Sequence, residues 1–207
     1  NVSVIATFSE AVIVDNSSNN PTLTLVVGSD NRTATYTSGD NSTELVFRYT
    51  IQAGDNDSNG ISIRANALDD NSSTIRDPAL NDAILTHSAV DNNSSYKVDT
   101  TLPTVSSVAI TSEDGIQNNL LNVGDNVSVT VTFSENSPVT GTPQLTLAVG
   151  DDNRTANYTS SGSGDTTKVF KYTIQAGDND SNGISIPENA LALNNGTIRD
   201  LAGNNAT

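Results

Sequence analysis

The chain has 207 residues with no Cys, Met or Trp and a single His, and its 24 acidic against 9 basic side chains leave a formal charge of −15. This excludes disulfides, thiolate nucleophiles, Cys-ligated zinc and multi-His metal sites, and the acidity argues against phosphate backbones or anionic lipid as partners. Apolar residues make up 34% of the chain and aromatics 4%, so any core is thin and aliphatic, and no apolar run approaches the ~20 residues of a membrane span.

No signal peptide stands at the start, so the chain is expected to be processed or a fragment. Taken from that start, its segments answer one another. NVSVIATFSE (1–10) matches NVSVTVTFSE (126–135), and DNRTATYT (30–37) matches DNRTANYT (152–159). YTIQAGDNDSNGISI (49–63) recurs unchanged at 172–186, and TIRDPALN (74–81) matches TIRDLAGN (197–204). The offset of the identical block is 123 residues. A tandem repeat of this period exceeds the 20–50 residues of solenoid units, so each copy is expected to be a domain with its own core.

Within each copy the pattern has period two. Val127, Val129, Val131 and Phe133 share one face and Ser128, Thr130 and Thr132 the other. Leu145, Leu147 and Val149 alternate likewise, as do Phe170, Tyr172 and Ile174. This predicts half-buried antiparallel strands, separated by turn clusters such as VGSDN (27–31) and TSGDNST (37–43). Only RANALDD (64–70) and PENALALNN (187–195) have room for a helical turn. The expected class is all-β: two tandem immunoglobulin-like β-sandwiches held by packing alone.

The repeat is out of phase with the chain. VSSVAIT (105–111) leads into the second copy without a counterpart before Asn1, and DAILTHSAV (82–90) continues the first copy where the second stops soon after Asn204. The expected layout is a first repeat at 1–95 lacking its first strand, a linker at 96–103, and a second repeat at 104–207 lacking its last strand. Such gaps leave open sheet edges. They are filled either by further repeats of a longer array or by strands from neighbouring chains.

The blocks VTFSE (131–135), YTIQAGDNDSNGISI, NALALNNGTIRDLAGN (189–204) and VDTTLPTV (98–105) resemble the tandem Ig-like repeats of large bacterial surface and secreted proteins, the adhesin stalks. The resemblance covers essentially the whole chain. It implies an extracellular, cell-surface location, end-to-end stacking, no catalysis and, in some members, calcium at loops or linkers.

The duplicated GDNDSNGI places Asp55, Asp57 and Asn59 before Gly60, and Asp178, Asp180 and Asn182 before Gly183. Oxygens at alternating positions before a glycine form the first half of a calcium loop. Asn66 and Asn189 stand where its Glu would be, and strand rather than helix follows, so this is no EF-hand. Further ligands would have to come from Asp77 and Asp200, Glu10 and Glu135, or Asp99. The alternative is an Asp/Asn/Gly turn in which the side chains cap the backbone.

Asn is abundant, and N-x-S/T occurs 14 times, at Asn1, Asn16, Asn31, Asn41, Asn56, Asn71, Asn92, Asn93, Asn126, Asn153, Asn157, Asn179, Asn195 and Asn205. That is twice the roughly 7 expected by chance for this motif, although shared ancestry of the copies inflates the excess. Either these are N-linked glycan sites of an extracellular protein, or the residues merely solvate the surface.

No nucleophile–base pairing, nucleophile elbow or phosphate-cradling loop is legible. His87 has no counterpart in the second copy and is expected as an exposed strand residue. The chain therefore reads as a non-enzymatic structural repeat of a stalk or fibril, its partners being identical or adjacent repeats in a head-to-tail polymer. The alternative is an adhesin module that binds host protein or carbohydrate through its loops.

Overall fold

Residues 1–161 and 165–206 are described by the computed structural model. The period-two stretches are strands, all paired antiparallel, and no α-helix occurs among the described residues. The chain divides into two compact units, Asn1–Thr101 and Leu102–Thr207.

The first unit holds β1 (Val2–Asp15), β2 (Thr22–Val27), β3 (Asp30–Ser38), β4 (Ser42–Tyr49), β5 (Leu68–Asp69) and β6 (Thr74–Arg76), in the spatial order β5-β2-β3-β4-β1-β6. Its corner is β1. Val2–Thr7 pairs with β4, the register breaks between Thr7 and Val12, and Ile13–Asp15 then pairs with β6. A strand that changes partner across an irregularity bends one sheet over another, and the result is sandwich-like. Leu23, Leu25, Val27, Leu45, Phe47 and Tyr49 form the centre of the core with Val12, Val14 and Ile75 against them.

The second unit repeats this with β8 (Asn126–Phe133), β9 (Val139–Thr140), β10 (Gln144–Val149), β11 (Asp152–Ser161), β12 (Thr167–Thr173), β13 (Leu191–Ala192) and β14 (Thr197–Ile198). Here β8 pairs with β12 and β9 with β14, so two strands do the work of β1. One strand has no equivalent in the first unit: β7 (Val105–Asp114) lies along the outer edge of β8. The inward faces predicted for this copy are buried throughout. Ser128, expected on the open face, is buried as well, at 7% exposure, on a strand flanked by both β7 and β12.

RANALDD and PENALALNN contain turns followed by the two-residue strands β5 and β13 instead of helical turns. Asn66 and Asn189 take φ of 57° and 54° there. Left-handed turns account for part of the Asn richness, because Asn tolerates that conformation better than other side chains. Of the 11 non-glycine residues with positive φ among those described, eight are Asn: 41, 66, 71, 118, 119, 189, 194 and 195. Residues 96–101, expected as part of a linker, belong to the first unit, where the Tyr96 carbonyl accepts from the Ile61 N–H and Val98 exchanges backbone hydrogen bonds with Asp57.

Candidate functional site

The duplicated acidic loop is seated by the same contacts on the β2–β3 hairpin in the first unit and on the β10–β11 hairpin in the second. In the first, Arg32 on β3 donates through Nε to Asp55 Oδ1 at 2.6 Å, and Tyr49 at the end of β4 donates its hydroxyl to Asp55 Oδ2, also at 2.6 Å. The Gln52 N–H adds a third bond at 2.8 Å. Asp57 accepts from the Gly28 N–H through Oδ2 at 2.8 Å, and from the Asn59 and Gly60 N–H groups through Oδ1 at 3.2 and 2.7 Å. The second unit reproduces each bond. Asp178 takes Arg154 Nε at 2.7 Å, the Tyr172 hydroxyl at 2.5 Å and the Gln175 N–H at 2.8 Å. Asp180 takes the N–H groups of Gly150, Asn182 and Gly183 at 2.9, 3.1 and 2.8 Å.

Asp55 is 1% exposed. Burial alone would raise its carboxyl pKa, but the Tyr49 hydroxyl, the Gln52 N–H and Arg32 together outweigh burial and hold it below the usual carboxylate range. Asp178 behaves the same way for the same reasons. The partners move in the complementary direction. Burial and the hydrogen bond to Asp178 push the Tyr172 phenol up to about 12, and burial with the bond to Asp55 raises that of Tyr49. A buried carboxylate is tolerated when charge-assisted bonds saturate it, and the Arg–Asp–Tyr tie does this.

The six residues expected as cation ligands are therefore brought together in two loops, but their carboxylates serve protein donors. Asn59 and Asn182 contribute backbone N–H groups to the turn. Asp77 and Asp200 are each held by the backbone and side-chain amides of Asn81 and Asn204. In the second unit the carboxylate oxygens of Glu135 and Asp200 lie within 4.8 Å of one another. Arg32, Arg154, Tyr49 and Tyr172 were the residues that sequence reasoning missed as partners of the loop. The available signal was that DNRT and YT recur with the loop in both copies.

Of the 14 sequon asparagines, all are exposed except Asn126, which is half-buried with its Oδ1 accepting from the Thr173 hydroxyl at 2.7 Å. His87 is half-buried outside any strand, a correction to its expected place. Its Nε2 accepts from the Ala67 N–H at 2.9 Å while Nδ1 lies 2.7 Å from the Ser88 carbonyl. Both ring nitrogens are thus engaged in pinning the 85–88 segment beside β5.

In the first unit an open groove of about 640 Å³ runs along β1 from Val4 to Glu10, with Ala83–Ser88 as its other wall. No helix among the described residues is long and apolar enough to cross a membrane. No protein-family model, curated protein or solved structure matches the chain.

Proposed function

We propose that this chain is a non-enzymatic structural repeat of an extracellular stalk or fibril. Its immunoglobulin-like sandwiches join identical or adjacent repeats by head-to-tail stacking or strand exchange, and its exposed sequons carry N-linked glycans. The observation that carries this reading is the duplication of what holds the units in shape. Both copies keep the same order over five strands, β5-β2-β3-β4-β1 and β13-β10-β11-β12-β8, and the same Arg–Asp–Tyr tie, bond for bond. A recognition module is expected to diverge in its loops, whereas here the loop is the most strictly repeated part of the sequence. Thirteen exposed sequon asparagines are consistent with a glycan-coated surface. In this reading the loops are stiffened by protein donors and need no cation.

Electron microscopy and sedimentation velocity of the native protein test it. Rods or filaments with an axial repeat of two sandwich domains are expected. Compact, monodisperse particles over the whole accessible concentration range would overturn it.

A further inference from the structure

The two copies differ in what lies beside their first strand, and the difference identifies a binding edge. In the second unit β8 sits between β12 and β7, and Val127, Val129, Val131 and Phe133 are at most 3% exposed. In the first unit β1 presents nearly the same sequence, VSVIATF against VSVTVTF. It pairs with β4 on one side only over Val2–Thr7, and no backbone hydrogen bond reaches its outer edge among the described residues. Val2, Val4, Ala6 and Phe8 are correspondingly only half-buried, and Ile5 is 55% exposed on the opposite face. The groove described above opens along this edge.

Proteins protect free edges with Lys, Pro, inward charges or very short strands. Val2–Phe8 has none of these, whereas the other edge of the same sheet ends in the two-residue β5. The second unit shows what completes such an edge: a strand of pattern VSSVAITSED, running antiparallel, with Ile110 packed on the core.

We propose that the outer edge of β1 accepts an extended strand of the β7 pattern from another copy of this repeat. The register transfers directly. β7 sets Val108 opposite Val131, Ala109 opposite Thr130, Ile110 opposite Val129 and Ser112 opposite Ser128. The corresponding partners on β1 are Ala6, Ile5, Val4 and Ser3. The incoming Ile110 equivalent then fills the space beside Val4, as Ile110 packs on the core of the second unit. This deepens the structural-repeat reading and rests on it for the source of the strand.

The chain lacks cysteine, so a single introduced thiol reports the register. A synthetic peptide of residues 104–114 carrying Ala109→Cys is mixed with the full chain carrying either Ile5→Cys or Ser3→Cys in a thiol–disulfide buffer. Hydrogen exchange is measured on the unsubstituted chain with unsubstituted peptide. The expected result is slower exchange of β1 amides with β8 amides unchanged, and about tenfold more adduct with Ile5→Cys than with Ser3→Cys, because a strand whose one face is buried holds its register. Three results would overturn the inference: β1 exchange that ignores the peptide, equal adduct at both positions, or an Ile5→Cys chain that forms its own disulfide dimer whether or not peptide is present. The last would mean that two β1 edges pair with each other. Peptide capture by a chain that stays compact and single would keep the acceptor edge and remove the stalk reading. Rods from a chain that ignores the peptide would do the reverse.

Discussion

Removing one oxygen atom from the Arg–Asp–Tyr tie tests whether that tie holds the loop. Tyr49→Phe keeps the ring, which is buried in the core beside Leu45 and Phe47, and deletes only the hydroxyl bonded to Asp55 at 2.6 Å. A hydrogen bond to a charged group contributes about 1.5–3 kcal/mol. Asp55 retains Arg32 and the Gln52 N–H, and Phe is spared the cost of burying a phenol, so the loss falls at the lower end, about 1.5 kcal/mol. Tyr172→Phe should cost the second unit a similar amount. Because each change lies within its own unit, the double variant should show the two losses as a sum.

Urea denaturation followed by circular dichroism at several pH values measures this. The sign of the pH dependence follows from the proton affinities. Asp55 is depressed in the folded state, so its contribution is complete above the ordinary carboxylate value of 3.8 and disappears as pH falls through the lower folded value. Without the Tyr49 hydroxyl the folded carboxyl titrates at higher pH, and acid unfolding of the variant begins earlier. At the alkaline end Tyr172 is raised from 10 to about 12. The unfolded chain therefore loses that proton first, and the wild type loses stability between these values while Tyr172→Phe is spared that decline. A neutral-pH change below about 0.5 kcal/mol, the range of ordinary surface substitutions, would refute the tie as the element that holds the loop. An acid transition unmoved by Tyr49→Phe would refute it equally.

Gly28 has φ of +61°, and a Cβ there would lie 2.3 Å from the Asn56 carbonyl oxygen; Gly28→Ala should destabilise the first unit by about 1–3 kcal/mol by differential denaturation, and a neutral result would show that the hairpin and loop separate freely. Chelator should leave the melting transition unchanged, since the carboxylates of Asp55, Asp57, Asp178 and Asp180 already accept from protein donors; a lower transition would return them to a cation. Lys168 has 0% exposure at the position where the first unit places Leu45, so Lys168→Leu should raise the stability of the second unit by about 1 kcal/mol, and a loss would show that the ammonium is the better side chain there. Expression in a glycosylating host, read by peptide mass before and after glycosidase, should leave Asn126 bare, because it is half-buried between two strands with its Oδ1 bonded to the Thr173 hydroxyl.

What the sequence made legible was set by periodicity and repetition. Alternation at Val127–Phe133 and Leu145–Val149 gave both the strands and their buried faces, because a half-buried strand encodes its orientation residue by residue. The unequal partnering of β1 and β8 was legible from the unmatched VSSVAIT block. The loop was found, with its chemistry left between a cation site and a backbone-capping turn. D-x-D-x-N-G describes oxygens at alternating positions, whether they converge on a cation or turn back to the backbone. The deciding residues, Arg32 and Tyr49, are 23 and 6 positions away from Asp55. His87 was misplaced for a related reason, since its ring accepts from the N–H of Ala67, 20 residues earlier. Local spacing carries no record of such contacts.

One place where the copies diverge inside a core has a common geometric origin. Leu45, Ala11 and Val12 of the first unit correspond to Lys168, Asn136 and Ser137 of the second. All three lie where the strand changes sheets and the β3–β4 or β11–β12 hairpin closes over it. In the first unit the short hairpin ties down this corner through a side chain, the Asp40 carboxylate accepting from the Val14 N–H at 2.8 Å. In the second the longer hairpin uses its backbone. The Asp165 carbonyl accepts from the Ser137 N–H at 3.0 Å and from Lys168 Nζ. Ser137 turns its hydroxyl to the Glu135 carbonyl at 2.9 Å, and the Asn136 Oδ1 is buried with no hydrogen-bond partner among the described residues. Burial lowers the Lys168 pKa, and the unpaired buried acceptor of Asn136 adds a desolvation cost of its own. The corner's tie is thus a carboxylate in the first unit and a carbonyl in the second, and the general cost of burying polar groups should make the second corner the less stable of the two.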